Sequence, residues 1–245
     1  MTDRTAGYQR WTALTFLHWQ VPKDVLQKQL PQGLTLDTYK GNAWLGVVPF
    51  SMERVRPWWS PPVPGISWFL ETNVRTYVRG PAGEPGVWFF SLDANQRLAV
   101  EIARRIWNLP YRWAKLRLAT RETHTESRRT QFAEYSGTRR ESPAADYKIE
   151  IAADLNELKP ADPDTLEYFL VERYLLFCED SRRRLFSGRV HHEPYRICPI
   201  IRQQIQQSLT NPVLDGEQLP NHAEHAAWSP GVDVRISPLK PYRRG

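Results

Sequence analysis

Apolar residues recur along this chain with two periods, and the shorter one dominates. In ISWFLETNVRTYVRG (66–80) Trp68, Leu70, Thr72, Val74, Thr76 and Val78 alternate with Phe69, Glu71, Asn73, Arg75 and Tyr77, which predicts a strand with two distinct faces. The second face combines an acid, an amide, a guanidinium and two aromatic rings. VWFFSLDA (87–94) is nearly all apolar, as a buried strand would be. GLTLDTYKGNAWLGVVPFSMERV (33–55) reads as a hairpin turning at Lys40-Gly41-Asn42. Alternation without long apolar runs over 111–153 predicts antiparallel strands with one solvated face, and two more strands are expected around Gly188 and a turn at Pro194.

Helical spacing is rarer. PKDVLQKQL (22–30) places Val25, Leu26 and Leu30 behind a proline suited to a first helical turn, with Pro31 as the stop. NQRLAVEIARRIWNLP (95–110) carries Leu98, Ile102 and Ile106 and closes at Asn108 and Pro110, predicting a helix packed on the sheet. DPDTLEYFLVERYLLF (162–177), with Leu166, Phe169, Leu170 and Tyr174, predicts a third helix. The segment RPWWSPPVPGI (56–66) has too many prolines for an interior strand and reads as a loop whose Trp58 and Trp59 either lid a pocket or cover the core edge. No repeat or linker divides the chain. The expectation is one α+β domain over 1–211, mainly antiparallel β with few helices, followed by a poorly ordered tail over 212–245 where Gly, Pro, Asn and charge dominate.

Composition narrows the chemistry. The 245 residues carry a formal charge of +6, and their 33 cations divide into 26 Arg and 7 Lys. Only Lys115 lies between Lys40 and Lys148, so lysine chemistry has very few candidates. Basicity raises a nucleic-acid reading, but acids break up most cations, and the dense clusters at Arg182–Arg184 and Arg243–Arg244 are short. Two cysteines, Cys178 and Cys198, make no disulfide framework or metal spacing, which fits a reducing compartment. The N-terminus lacks a signal-peptide pattern and no run of about 18 apolar residues is present, so a cytoplasmic protein without membrane attachment is expected.

Several runs in fixed order resemble one bacterial family: FLHWQVP (16–22), LPQGLTLDTYKGNAWLGVVPFSMERVRP (30–57), ETNVRTYV (71–78), GVWFFSLDA (86–94), LPYRWAKL (109–116) and GRVHHEP (188–194). The family is DUF2071, also called YqjF-like, and it is similar to the acetoacetate decarboxylase-like superfamily. That resemblance implies two sheets forming a closed or cone-shaped barrel around a central cavity, with peripheral helices. In the decarboxylase a helix delivers a lysine that forms a Schiff base, with a second lysine depressing its pKa. The corresponding run here is Asn108-Leu109-Pro110-Tyr111-Arg112, so Tyr111 and Arg112 stand where the lysine pair would be. Neither side chain can form an imine. Lys115, four extended residues or roughly 13 Å beyond Tyr111, reads as a solvated strand-end lysine.

The candidate site follows from both readings. Glu71 lies in the strand whose superfamily counterpart supplies a cavity carboxylate, and Arg75 projects to the same face, where the two bracket a polar ligand or form a surface ion-pair network. Tyr111 and Glu71 are the catalytic candidates; Arg112, Arg75, His18, Trp19 and Trp107 are the ligand-binding ones. His18 offers a base near neutral pH or a satisfied core group. Adjacent His191 and His192 face opposite ways on a strand, His222 and His225 lie in the tail, and no metal or other cofactor is expected. Ser51, Ser91 and Ser187 lack a nucleophile elbow. The expected function is binding of an organic acid or carbonyl compound in a β-enclosed cavity. The alternatives are an acid–base enzyme using Tyr111 and Glu71, and a basic surface for nucleic acid or protein.

Overall fold

The computed structural model describes residues 4–242, and the Arg243–Arg244 cluster lies outside them. In chain order the first half comprises β1 (Gly7–Val21), α1 (Lys23–Lys28), β2 (Thr35–Leu36), β3 (Ala43–Pro57), β4 (Phe69–Arg79), β5 (Pro85–Ala94), α2 (Arg97–Trp107) and β6 (Tyr111–His124). The second half comprises β7 (Arg129–Arg139), β8 (Ala145–Asp154), β9 (Lys159–Pro160), α3 (Leu166–Val171), β10 (Leu175–Glu179), β11 (Leu185–His191), β12 (Arg196–Gln207), β13 (His225–Ile236) and β14 (Lys240–Pro241). The mostly β architecture with few helices matches the expectation from the alternating pattern.

Strands β5, β6, β7, β8, β12, β13, β1, β3 and β4 are neighbours in that order, and β4 pairs back onto β5, so a large mixed sheet closes in a ring. Most neighbours are antiparallel; β5 runs parallel to β6 and to β10. Parallel neighbours cannot be joined by a tight turn, and α2 supplies the crossover between β5 and β6. Asn108 ends that helix in the left-handed conformation at φ 49°, which releases the chain into β6.

The stretches Leu14–Trp19 of β1 and Ala43–Phe50 of β3 are buried on both faces and separate two apolar cores. Leu17, Trp19, Leu45 and Val47 pack on one side with Ile149, Ile151 and Trp228. Phe16, Trp44, Val48 and Phe50 pack on the other with Phe69, Leu92 and Tyr111. A strand segment with two apolar neighbours shows no alternation, which is why residues 14–19 give no period-two signal in the sequence.

Four expectations need correction. The tail over 212–245 contains β13, which pairs with β1 from Gly7↔Ile236 to His18↔His225 and buries Trp228, Ser229 and Val234. Its partner is distant in sequence, so local composition misses it. The third helix covers only Leu166–Val171, because Glu172 leaves helical geometry at ψ 78° and the chain enters β10 at Leu175. The turn at Lys40-Gly41 forms, but the arm before it shrinks to β2, which pairs with β4 instead of β3. The helix α2 forms as expected, yet Leu98, Ile102 and Ile106 face outward while Val100 makes the buried contact.

Candidate functional site

A cavity of about 610 Å³ lies among β1, β3, β4, α2 and the proline-rich segment after β3. Its wall is largely apolar, built from residues such as Leu14, Val48, Phe50, Phe69 and Leu92. Glu71, Asn73 and Arg75 enter it from alternate positions of β4, and Tyr111 enters from the first residue of β6. No lysine lines it, and Lys115 is exposed on β6.

Strand order explains why Glu71 and Tyr111 meet. Glu71 sits opposite Ala94 of β5, and Tyr111 sits opposite Leu92 of the same strand, so both project to one face of β5 from its two sides. Ala94 between them is too small to intervene. The Tyr111 hydroxyl donates to Glu71 Oε2 at 2.6 Å. Burial pushes the Glu71 carboxyl up from its ordinary 4.5 to about 7; the Tyr111 and Asn73 side chains favour its charged form, and nearby Asp93 opposes it. Burial and the adjacent carboxylate raise Tyr111 well above the ordinary phenol range, which keeps it a proton donor.

Arg75 presents a guanidinium whose Nε–H is buried without a hydrogen-bond partner. One of its other nitrogens, Nη2, donates to the Leu170 carbonyl at 3.0 Å and lies 3.4 Å from the Tyr77 hydroxyl. Behind Arg75 runs a directional chain. Tyr77 donates its single proton to Leu170 O at 2.8 Å, so at 2.7 Å it accepts from His18 Nε2–H. His18 Nδ1 is then bare and accepts from His225 Nδ1–H at 2.9 Å. Burial, the neighbouring His225 and Arg75 hold His18 well below its ordinary value, and burial lowers His225 to about 4. Both rings are therefore neutral at pH 7. The fit depends on Gly46 opposite His18, where an added Cβ would lie 2.9 Å from the ring.

The predicted residues thus separate into two groups. Glu71, Tyr111, Arg75 and Trp107 line the cavity. His18 does not line it and instead orders Tyr77 behind the wall. Trp19 is fully buried in the other core, donating its Nε1–H to the carbonyls of Pro220 and His222, and so tethers the segment before β13. Arg112, next to Tyr111 on an extended strand, points to the opposite face beside Asp93, which forms a buried ion pair with Arg139 at 3.0 Å. Asn73 on the wall and Tyr77 behind it complete the site, and period-two spacing from Glu71 reaches both. Among the described residues no group of three or more His, Cys, Asp or Glu is placed to hold a metal ion.

Residues 8–233 match DUF2071, a family described as "Uncharacterized conserved protein". The chain belongs to this family. The chain is also similar to the uncharacterized protein YqjF of Bacillus subtilis (strain 168), at 32% identity over 236 residues, covering 96% of this chain and 91% of that protein. The fold is similar to the enduracididine biosynthesis enzyme MppR complexed with pyruvate, at TM-score 0.66 and 11% identity, covering 98% of this DUF2071 chain and 91% of that one. An acetoacetate decarboxylase from Legionella pneumophila aligns at TM-score 0.61 and 14% identity over 99% of this chain and 90% of its own. An acetoacetate decarboxylase-like enzyme from Sphingomonas wittichii RW1 aligns at 0.64 and 10%, over 99% and 95%. At such identities the likeness is one of fold. No helix is long and apolar enough to cross a membrane among the described residues.

Proposed function

We propose that the cavity binds a small organic acid bearing a carbonyl group and that Glu71 moves a proton at the carbon beside that carbonyl. The observation that carries this reading is the Glu71–Tyr111 pair, a carboxyl and a phenol 2.6 Å apart in a largely apolar cavity. Arg75, with an unpartnered Nε–H on the same wall, supplies the cation for the ligand's carboxylate. A pyruvate complex of the similarly folded MppR supports the ligand class. The absence of a lysine from the cavity wall argues against an imine route.

In the proposed step the Glu71 carboxylate removes a proton from the carbon next to the carbonyl. The C–H electron pair becomes a carbon–carbon double bond, and the carbonyl π pair moves to oxygen. Once Glu71 holds the proton, its demand on the Tyr111 hydroxyl falls. That hydroxyl then donates to the enolate oxygen. Reversal returns the proton to carbon.

Proton exchange in D₂O, followed by proton NMR on pyruvate and longer 2-oxo acids, tests the step. Exchange should exceed the buffer rate and fall about 100-fold or more in Glu71→Gln, with the circular dichroism spectrum unchanged. Binding without exchange refutes catalysis and leaves a carrier. Absence of binding by every acid refutes the whole reading.

A further inference from the structure

The apolar part of the cavity exceeds what a three-carbon acid fills, and its mouth is built from side chains that an ordinary surface would hide. Ile102 and Ile106, 44% and 63% exposed, line that mouth from α2. A surface helix normally turns its apolar stripe to the core; here Val100, Ala99 and Ala103 make the inward contacts instead. Across the opening, Trp59, Val63 and Ile66 line it from the segment that follows β3, and Trp59 is 70% exposed. Pro57, Pro61, Pro62 and Pro64 restrict that segment's backbone, so these side chains are held in place without a covering element.

The exposed apolar surface is continuous with the cavity that holds Glu71, Arg75 and Tyr111. We infer that the ligand is amphipathic, with its acid and carbonyl head at those three residues and a linear alkyl tail leaving between α2 and the proline-rich segment. The inference rests on the proposed reading for the head and adds the tail. A volume of about 610 Å³ falls in the range of cavities that enclose ligands far larger than pyruvate.

The test is a series of linear 2-oxo acids of roughly four to twelve carbons, titrated below their micellar concentrations into the full chain by calorimetry. Each buried methylene should lower Kd by about fourfold until the tail outgrows the opening. The double variant Ile102→Asn/Ile106→Asn changes two exposed positions, so its fold is not at risk. It should flatten the dependence to less than about twofold per methylene and leave the shortest acid's Kd within about twofold. Flat affinity in the wild type, with the short acid still bound, overturns the tail. A variant that changes particle mass in sedimentation while keeping the slope assigns the stripe to an interface between copies and also overturns it. Equal affinities for alkyl alcohols and acids of the same chain length, with the slope kept, support the tail and refute the proposed head. Absence of binding at any length defeats both.

Discussion

Replacing Glu71 by Gln should stabilise the protein, and the amount should depend on pH in a way set by the carboxyl's environment. Glu71 is 4% exposed, and its carboxyl titrates near 7 instead of its ordinary 4.5. The unfolded chain therefore releases this proton from about pH 4.5, while the folded chain retains it until about pH 7. Across that window the folded state binds more protons, so the stability present below pH 4.5 is lost as pH rises and stays lost above 7. At ~1.4 kcal/mol for each pH unit that the midpoint moves, the ionised carboxylate costs ~3 kcal/mol at alkaline pH.

Glutamine keeps the shape, still accepts from Tyr111 and does not titrate. Urea unfolding of both proteins at several values between about pH 4.5 and 8.5 measures the difference. The variant's advantage should grow by ~1.4 kcal/mol per unit up to about pH 7 and then level off. Asp93, raised to about 6, and His225, lowered to about 4, titrate in both proteins and largely cancel. A difference that stays constant across the range would refute the claim that burial holds this carboxyl protonated.

Two further substitutions probe the surroundings. Tyr111→Phe removes a donor that favours ionised Glu71, so the carboxyl's midpoint should move upward, read from its infrared band against pH, with ~1–2 kcal/mol of stability lost above neutrality. Asp93→Asn leaves Arg139, whose side chain is 2% exposed, charged without its partner, and should cost ~3–5 kcal/mol in urea unfolding at about pH 8; the paired Asp93→Leu/Arg139→Met change should recover most of it.

The candidate site was partly legible in the sequence because two of its elements announce themselves locally. Period-two alternation places Glu71, Asn73 and Arg75 on one face of one strand, and the structure keeps them on one cavity wall. Tyr111 was legible through the resemblance to a known family. Their meeting was not, because it depends on β5 lying between β4 and β6, a strand order created by the parallel crossover through α2. Direction was equally hidden. Spacing identifies the stripe of Leu98, Ile102 and Ile106 but does not say that it faces outward. Trp19 and His18 read as pocket residues because the stretch Leu14–Trp19 of β1 is buried on both faces, which removes the signal that would separate core from cavity.

Two buried acids, Asp93 on β5 and Glu71 on the neighbouring β4, show how the fold distinguishes structure from chemistry. Burial raises Asp93 as it raises Glu71, but Arg139 and Arg112 draw Asp93 back toward ionisation, and its role is that of an internal ion pair. Among the described residues Glu71 has no such ion-pair partner: hydrogen bonds from Tyr111 and Asn73 favour its charge, and the nearby Asp93 opposes it. An amide of the same shape would pack equally well and avoid the cost of ~3 kcal/mol above neutrality. What the amide lacks is a proton it can lose and regain near pH 7 by ionising, the property that general acid–base chemistry requires. The loss of stability and the gain of proton-transfer activity should therefore follow occupancy of one site, with exchange rising over the pH interval in which stability falls. Midpoints separated by more than about one pH unit would detach this carboxyl from the reaction.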